Sequence, residues 1–175
     1  YHSLQDFVAI NPPIGLASIA ATAERAGYEV SIIDGDAEQL TLDQTVERVV
    51  ETRPDYVGST IMTATMDITR IFYEKLKRKL PEVLVITGGP HVSALPEQTL
   101  KEAPEIDINV IGEGDETIVN ILDAVTGNRS LRDIAGIAYR DNGQVVMTNP
   151  RLPIKDLSTL PMPAFHLFNY KLYRS

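Results

Sequence analysis

Short apolar runs alternate with longer amphipathic stretches along most of this chain, and this alternation constrains its fold more than any other feature. The apolar runs predict strands at residues 28–33, 55–60, 83–87 and 106–111. Apolar residues at helical spacing predict helices at residues 42–52, 67–80, 96–102 and 115–125. Strands that alternate with helices pair in parallel through right-handed crossovers. We therefore expect an α/β fold, a Rossmann-like or flavodoxin-like open parallel sheet with helices on both faces.

The helix predicted at residues 67–80 carries the strongest amphipathic pattern in the chain. Its Lys and Arg residues gather near the end, where they suit the negative end of the helix dipole. Five apolar residues lie on one face, which we expect to be the buried one: Ile68, Ile71, Phe72, Leu76 and Leu80.

Both ends of the chain depart from the strand–helix pattern. The apolar run at residues 7–10 is either a shortened first strand or follows a first strand upstream of Tyr1. From about Leu131 the pattern predicts a β-hairpin with its turn at Asn142-Gly143, followed by a Pro-rich linker. We therefore expect an α/β domain at residues 1–130, with a first strand that is truncated or missing, and a hairpin with a linker at residues 131–175.

Composition excludes several classes of function. The chain has 175 residues and a net charge of -8, which disfavours a nucleic-acid partner. It has no Cys, so this segment has no disulfides, no thiolate zinc site, no iron–sulfur ligands and no Cys nucleophile. No apolar run approaches ~18 residues and no signal peptide precedes the first helix, so we expect a cytoplasmic protein without membrane insertion. Assembly into a homodimer stays open.

The candidate site lies where the predicted strands end, because open parallel sheets bind ligands outside the carboxyl ends of their strands. The loops at these ends are residues 11–15, 34–36, 59–63, 88–91 and 112–117. Four of the five contain Gly, which lets a backbone approach a ligand closely, and hydroxyl groups can bind polar ligand atoms. Each loop taken alone is explained equally well by the tight turns that the fold needs.

Two chemical interpretations of these loops are weak, and a third stays open. Asp34 ends a predicted strand where a ribose-binding acid would lie, but the G-x-G-x-x-G of a nucleotide-dependent oxidoreductase is absent. Glu113 and Glu116 could form an acid–base pair, although Glu116 is more simply a partner of the helix dipole. His91 is the only histidine at this edge, and both a pocket-lining and a structural role remain open for it. We predict no catalytic residue in this chain.

Several of these loops resemble one known family. Ser59-Thr60-Ile61 followed by Gly88-Gly89 resembles the S-x-L and GG elements of cobalamin (B12)-binding domains. Residues 12–17, 88–91, 111–117 and 154–163 look like the N-terminal part of cobalamin-dependent radical SAM enzymes. Within that superfamily, the opening residues with Asn11-Pro12-Pro13 are similar to the anaerobic magnesium-protoporphyrin IX monomethyl ester oxidative cyclases.

The resemblance implies that cobalamin lies across the carboxyl ends of the strands, with its nucleotide tail between the loops at Ser59 and Gly88-Gly89. The cofactor-binding residues that it implies are Pro13, Gly15, Ser59, Thr60, Ile61, Thr63, Gly88, Gly89, His91, Gly112, Glu113 and Gly114. Many cobalamin domains place a cobalt-ligating His before the first helix, but this chain has none before Gly15. We therefore expect no protein ligand to the metal.

The resemblance also implies a larger parent enzyme, because the C-x-x-x-C-x-x-C that holds a [4Fe–4S] cluster is absent here. A radical SAM domain beyond this chain would carry the iron–sulfur cluster and S-adenosylmethionine. The parent would be an oxidoreductase of the cyclase type or a methyltransferase, and this fragment alone would not be catalytic. The alternative is a flavodoxin-like domain without a cofactor that serves in docking or dimerisation.

Overall fold

A computed structural model describes residues 11–127 and 129–173 of the chain. Its helices are α1 (Ile14–Arg25), α2 (Leu42–Thr52), α3 (Met66–Lys79), α4 (Pro90–Ala94), α5 (Pro96–Glu102) and α6 (Asp115–Thr126). Its strands are β1 (Tyr56–Thr60), β2 (Leu84–Gly88), β3 (Ile108–Val110), β4 (Ile137–Asp141) and β5 (Gln144–Met147).

The strands form one sheet in the order β1-β2-β3-β4-β5. Strands β1, β2 and β3 are parallel, and their register pairs Ser59 with Thr87 and Thr87 with Asn109. The expected α/β class is confirmed, because each parallel strand is followed by at least one helix and the helices cover both faces. The parallel strands end at one common edge of the sheet, which positions the loops considered below.

The C-terminal hairpin is part of this sheet and not a separate appendage. Strand β4 pairs antiparallel with β3, and β5 pairs antiparallel with β4. Asn142 and Gly143 both have positive φ, which confirms the predicted tight turn. The sheet thus continues across residue 130, where we placed the end of the α/β domain, and that boundary stays a prediction.

The two faces of the sheet have different helical layers. Helices α2 to α5 cover one face, where the buried side chains include Val49, Tyr73, Leu76, Val92 and Leu100. Helices α1 and α6 cover the other face, where the buried side chains include Ala23, Ile121 and Leu122. The small residues of α1 allow it to pack closely against α6.

The buried face of α3 agrees with the predicted one at Leu76 and, in part, at Phe72 and Leu80, but not at Ile68 and Ile71. Met66, Tyr73 and Leu76 are buried, whereas Ile68 is 49% exposed and Ile71 is also exposed. The helix is therefore rotated so that Tyr73 points into the core, where its hydroxyl has a hydrogen-bond partner. The apolar spacing fits either face, and the contact with the sheet selects between them.

The strand predicted at residues 28–33 has no pairing partner among the described residues. The run at residues 7–10, the candidate first strand, lies outside the described residues. Val30 and Ile32 nevertheless pack against Ala20 and Ala21 of α1. The segment therefore contributes to the core under α1.

The chain beyond the hairpin folds back over α1. Ala164 is buried and its N–H donates to the carbonyl of Ala17 at 2.9 Å. Arg25 donates to the carbonyl of Thr159 at 2.6 Å, and the Tyr173 hydroxyl donates to Asp34 at 2.8 Å. We call residues 150–173 the return segment. The sequence predicted a linker here, and these contacts show a segment that is fixed to the domain.

Among residues 11–127 and 129–173, no helix has the length and apolar character needed to cross a membrane.

Candidate ligand site at the carboxyl edge of the sheet

Backbone hydrogen bonds join the loops that follow β1 and β2. The strands end in register, with Thr60 opposite Gly88. The Ile61 N–H donates to the carbonyl of Gly88 at 2.8 Å, and the His91 N–H donates to the carbonyl of Ile61 at 3.1 Å. The two loops therefore form a single rigid unit, which we call the β1–β2 edge (residues 59–63 and 88–91).

The two glycines of this edge have different roles. Gly89 has a φ of +96°, and a Cβ there would lie 2.4 Å from Oγ1 of Thr60 and 3.0 Å from the backbone N of Ile61. Only glycine fits this close approach of two loops. A Cβ on Gly88 would lie 3.7 Å from Val110, an ordinary contact distance. The fold requires glycine at Gly89 but leaves room for a side chain at Gly88.

His91 is buried in this edge, with 6% of its surface exposed. Its Nδ1 lies 3.2 Å from Oγ1 of Thr63, and no described residue offers a hydrogen-bond partner to its Nε2. A buried polar atom without a partner costs roughly 1–3 kcal/mol. The imidazole is therefore held by one nitrogen, and the other is buried without a partner among the described residues.

Ser59, Thr60 and Ile61 occupy three different environments at the end of β1. The Oγ of Ser59 accepts a hydrogen bond of 2.7 Å from the hydroxyl of Tyr73 in α3. Thr60 is exposed at the edge. The side chain of Ile61 is fully buried in the core, so only its backbone can line a ligand site.

Tyr73 is a residue of this region that the sequence did not point to. It is fully buried, and burial raises the pKa of its phenol well above the ordinary value. Its hydroxyl therefore stays protonated and donates to Ser59. The signal in the sequence was the spacing of Tyr73, seven residues after Met66 and three before Leu76, which places the three on one face of the helix. The predicted face began at Ile68 and did not include Tyr73.

A second buried polar pair lies beneath the edge. Thr87 of β2 donates to Oδ1 of Asn109 at 2.6 Å, and Nδ2 of Asn109 donates to the carbonyl of Pro96 at 2.9 Å. Both side chains are fully buried. The pair anchors the start of α5 to the sheet and so supports the preceding α4, which carries His91. In the sequence, this pair is indicated by a single Thr and a single Asn that each lie in a mainly apolar run.

The loop after β3 contacts this edge through α4. Gly112 has a φ of +80° with open space around its Cβ position, and its N–H donates to Oγ of Ser93 at 3.0 Å. A Cβ on Gly114 would lie 3.0 Å from Cδ1 of Ile19, which places the start of α6 directly against α1.

Glu113 and Glu116 face the return segment. The carboxylate of Glu113 accepts the N–H of Ile154 at 2.7 Å, and Glu116 pairs with Arg151 at 3.1 Å. Arg151 also donates to Asn120 and to the carbonyl of Ala135. These contacts give each glutamate a partner in the return segment, and a role of Glu113 in cofactor binding stays a prediction.

Pro13 and Gly15 lie at the start of α1, beside the β3 loop. The carbonyl of Pro13 accepts the first helical N–H, from Ala17, and a Cβ on Gly15 would meet nothing within 4 Å. Ser18 donates to Asp115 at the start of α6, so these two helix starts are tied together. The side chain of Ile14 is exposed there.

The predicted site residues thus form two groups at one edge. Ser59, Thr60, Ile61, Thr63, Gly88, Gly89 and His91 belong to the β1–β2 edge; Pro13, Gly15, Gly112, Glu113 and Gly114 lie at the starts of α1 and α6. Among the described residues, no group of three or more His, Asp or Glu side chains could hold a metal ion. The arrangement offers backbone groups, hydroxyls and one imidazole, which suits a large organic ligand more than a bare cation.

Comparison with known proteins places this arrangement in a family. Residues 5–122 match the B12 binding domain family. The chain is 37% identical over 164 residues to an uncharacterized methyltransferase of Pyrococcus horikoshii, covering 94% of this chain and 36% of that protein. It is 33% identical over 179 residues to the anaerobic magnesium-protoporphyrin IX monomethyl ester cyclase of Rubrivivax gelatinosus, covering 99% of this chain and 32% of that protein.

A solved structure has the same fold. The cobalamin-dependent S-adenosylmethionine radical enzyme OxsB, with aqua-cobalamin and S-adenosylmethionine bound, superposes with a TM-score of 0.80 at 16% identity, covering 94% of this chain and 23% of that one. The chain spans about a third of the length of the curated relatives above. Because the family match extends over residues 5–122 and includes the whole β1–β2 edge, this chain belongs to the B12 binding domain family.

Proposed function

We propose that this chain binds cobalamin at the carboxyl edge of its sheet, with the nucleotide tail of the cofactor beside the β1–β2 edge. The observation that carries this proposal is the buried Nε2 of His91, which has no partner among the described residues. An unpaired polar atom at this depth is stabilised if a ligand supplies its missing hydrogen bond. The family match supports a corrinoid as that ligand.

The residues present fit such a group. Cobalamin has a long polar tail, and the space around Gly88 and the free nitrogen of His91 suit an extended chain of polar atoms that passes close to a backbone. Ile14 at the start of α1 and Met62 in the loop after β1 expose apolar side chains, which the large ring of the cofactor would cover. Gly15 and Gly112 leave open space at the same edge.

Each group of this chain would have a binding task. Gly88 would allow close approach of the tail, His91 would form a hydrogen bond with it, and exposed Thr60 and Thr63 would offer hydroxyls. When bound, cobalamin supplies a cobalt centre that can carry a methyl group or an electron. No described residue before α1 is a histidine. The described residues before α1 would therefore offer no imidazole to the cobalt of a bound cobalamin.

We propose further that the parent protein is a cobalamin-dependent radical SAM enzyme. Its remaining length would hold the [4Fe–4S] cluster and S-adenosylmethionine, since this chain matches about a third of its relatives. The relatives include both a methyltransferase and a magnesium-protoporphyrin IX monomethyl ester cyclase, so methyl transfer and oxidative ring closure are the two candidate reactions.

The test is a titration of the protein with hydroxocobalamin, followed by its visible absorbance. We expect saturable binding, and we expect His91→Phe to weaken it about fivefold to tenfold, the effect of one lost hydrogen bond. The same variant removes the unpaired buried Nε2 together with the hydrogen bond between Nδ1 and exposed Thr63, so the two effects oppose each other and the melting temperature without cofactor should change little. His166→Phe is the matched control. His166 is exposed and lies in the return segment, where it pairs with Glu24 of α1.

Absence of saturable binding by the unaltered protein would contradict the proposal and favour a docking or dimerisation domain without cofactor. Equal loss of affinity in the His91 and His166 variants would remove His91 from the site.

A further inference from the structure

The hydrogen bond between Tyr73 and Ser59 has a defined direction. The Tyr73 side chain is fully buried, and its hydroxyl lies 2.7 Å from Oγ of Ser59. Burial keeps the phenol protonated, because its pKa lies well above the ordinary value. Ser59 is the one described acceptor for that hydrogen. Tyr73 is therefore the donor and Ser59 the acceptor.

This direction determines which hydrogen bonds the Ser59 hydroxyl can still form. A hydroxyl has one hydrogen to donate, and the bond from Tyr73 occupies one of its two lone pairs. No described residue accepts the hydrogen of Ser59. Its register neighbour on β2, Thr87, donates its own hydrogen to Asn109. The Ser59 hydroxyl is thus available as a donor, and the hydrogen bond from Tyr73 on the core side restricts its orientation.

The position of Ser59 directs that donor toward the ligand edge. Ser59 is the next-to-last residue of β1 and is half-buried, and it lies one residue before Thr60, which Gly89 contacts closely. Tyr73 approaches it from the core side of α3. Only the side away from Tyr73 remains for the free hydrogen of the serine.

We propose that Tyr73 is a positioning residue for the cofactor: it holds the Ser59 hydroxyl as a donor to a hydrogen-bond acceptor on the nucleotide tail. The proposal rests on the cobalamin-binding function proposed above. Without the Tyr73 hydroxyl, Ser59 can rotate and must be ordered again when the ligand binds. Preorganised donors contribute more to affinity than mobile ones for this reason.

The test is a double-mutant cycle on hydroxocobalamin affinity, with the variants Tyr73→Phe, Ser59→Ala and the two combined in the full chain. We expect Tyr73→Phe to weaken binding about threefold to tenfold. We expect Ser59→Ala to weaken it at least as much. In the Ser59→Ala background, Tyr73→Phe should cause no further loss, because the tyrosine acts through the serine.

Thermal unfolding without cofactor supplies a second readout. Ser59→Ala leaves the buried Tyr73 hydroxyl without its acceptor, so the melting temperature should fall. The double variant removes that hydroxyl as well, and it should recover part of the loss. Recovered stability together with weak cobalamin binding would separate the positioning role from a structural one.

Tyr28→Phe is the matched control. The hydroxyl of Tyr28 also makes a hydrogen bond of 2.7 Å, to Asp123 near the end of α6, away from the ligand edge. Its loss should leave cobalamin affinity unchanged. If Tyr73→Phe binds like the unaltered protein, or weakens binding equally whether or not the Ser59→Ala substitution is present, the positioning role is wrong. If the unaltered protein binds no cobalamin, the failure lies in the proposed function instead.

Discussion

At the scale of single residues, the β1–β2 edge separates groups that the fold needs from groups that are available to a ligand. Gly89 and the backbone of Ile61 maintain the contact between the two loops. The open Cβ position of Gly88 and the Nε2 of His91 have no such task among the described residues, although the Gly88 carbonyl accepts the Ile61 N–H. A substitution at this edge therefore tests ligand binding only when it changes a group that the fold itself does not need.

The two adjacent glycines make this distinction measurable. We expect Gly89→Ala to lower the free energy of unfolding by about 2–4 kcal/mol, because its Cβ would overlap Thr60 and its φ of +96° is strained for alanine. Gly88→Ala should change it by less than about 1 kcal/mol, since its Cβ meets Val110 at an ordinary distance. Urea denaturation of both variants provides the measurement.

If the tail passes Gly88, the Gly88→Ala variant should stay folded and bind cobalamin more weakly. Equal stability of the two variants would contradict the close approach at Gly89. Unchanged cobalamin affinity in Gly88→Ala would remove this backbone from the tail site.

At the scale of elements, α3 shows how one helix serves both the core and the site. Its buried stripe of Met66, Tyr73 and Leu76 packs on the sheet, and the same stripe carries the hydroxyl that reaches Ser59. A helix rotated to bury Ile68 and Ile71 would direct that hydroxyl away from β1. The orientation of α3 therefore determines whether Ser59 has a partner.

Alanine substitution along α3 tests this orientation. Leu76→Ala should lower the free energy of unfolding by about 2–4 kcal/mol, because it opens a cavity at a fully buried position. Ile68→Ala should cost less than about 1 kcal/mol, because Ile68 is about half exposed. A larger loss for Ile68→Ala than for Leu76→Ala in chemical denaturation would contradict the observed orientation of α3.

At the scale of the whole molecule, the return segment connects the end of the described chain to the ligand edge. It first contacts Arg25 of α1, then Ala17 of the same helix, and reaches Asp34 through Tyr173. Glu113, beside Gly112 and Gly114, accepts the N–H of Ile154 in the same segment. Any element that continues from Tyr173 therefore starts at a fixed position relative to the sheet.

We expect Ala164→Asp to release the return segment while the sheet stays intact. Ala164 is 2% exposed against α1, so a buried carboxylate there costs several kcal/mol and is relieved by local detachment. Trypsin should then cut at Lys155 and Lys171 much faster, whereas amide protection in β1 to β3 should persist. Met162→Asp is the control, because Met162 is 80% exposed and should leave the cleavage rate unchanged.

Simultaneous loss of protection in the segment and in the sheet would show that the two unfold as one unit. The return segment would then be an integral part of the domain core.

The sequence by itself determined the class of fold, and it predicted the edge of the sheet at which the candidate site lies. Alternation of strands and helices fixes a parallel sheet, because each crossover returns the chain to the same edge. The glycines and His91 stood at that edge in the sequence already, and the Asn142-Gly143 turn was evident from its residue types. These features are local, so the order of residues is sufficient to predict them.

Only the tertiary structure decided what depends on contacts between distant residues. Two apolar stripes of α3 fit its helical spacing, and packing on the sheet selected the one that contains Tyr73. The hairpin joined β3, and the proline-rich chain folded back on α1, because each could bury apolar groups and satisfy backbone hydrogen bonds there. The unpaired nitrogen of His91 and the donor direction at Ser59 follow from those contacts, which no short stretch of sequence encodes.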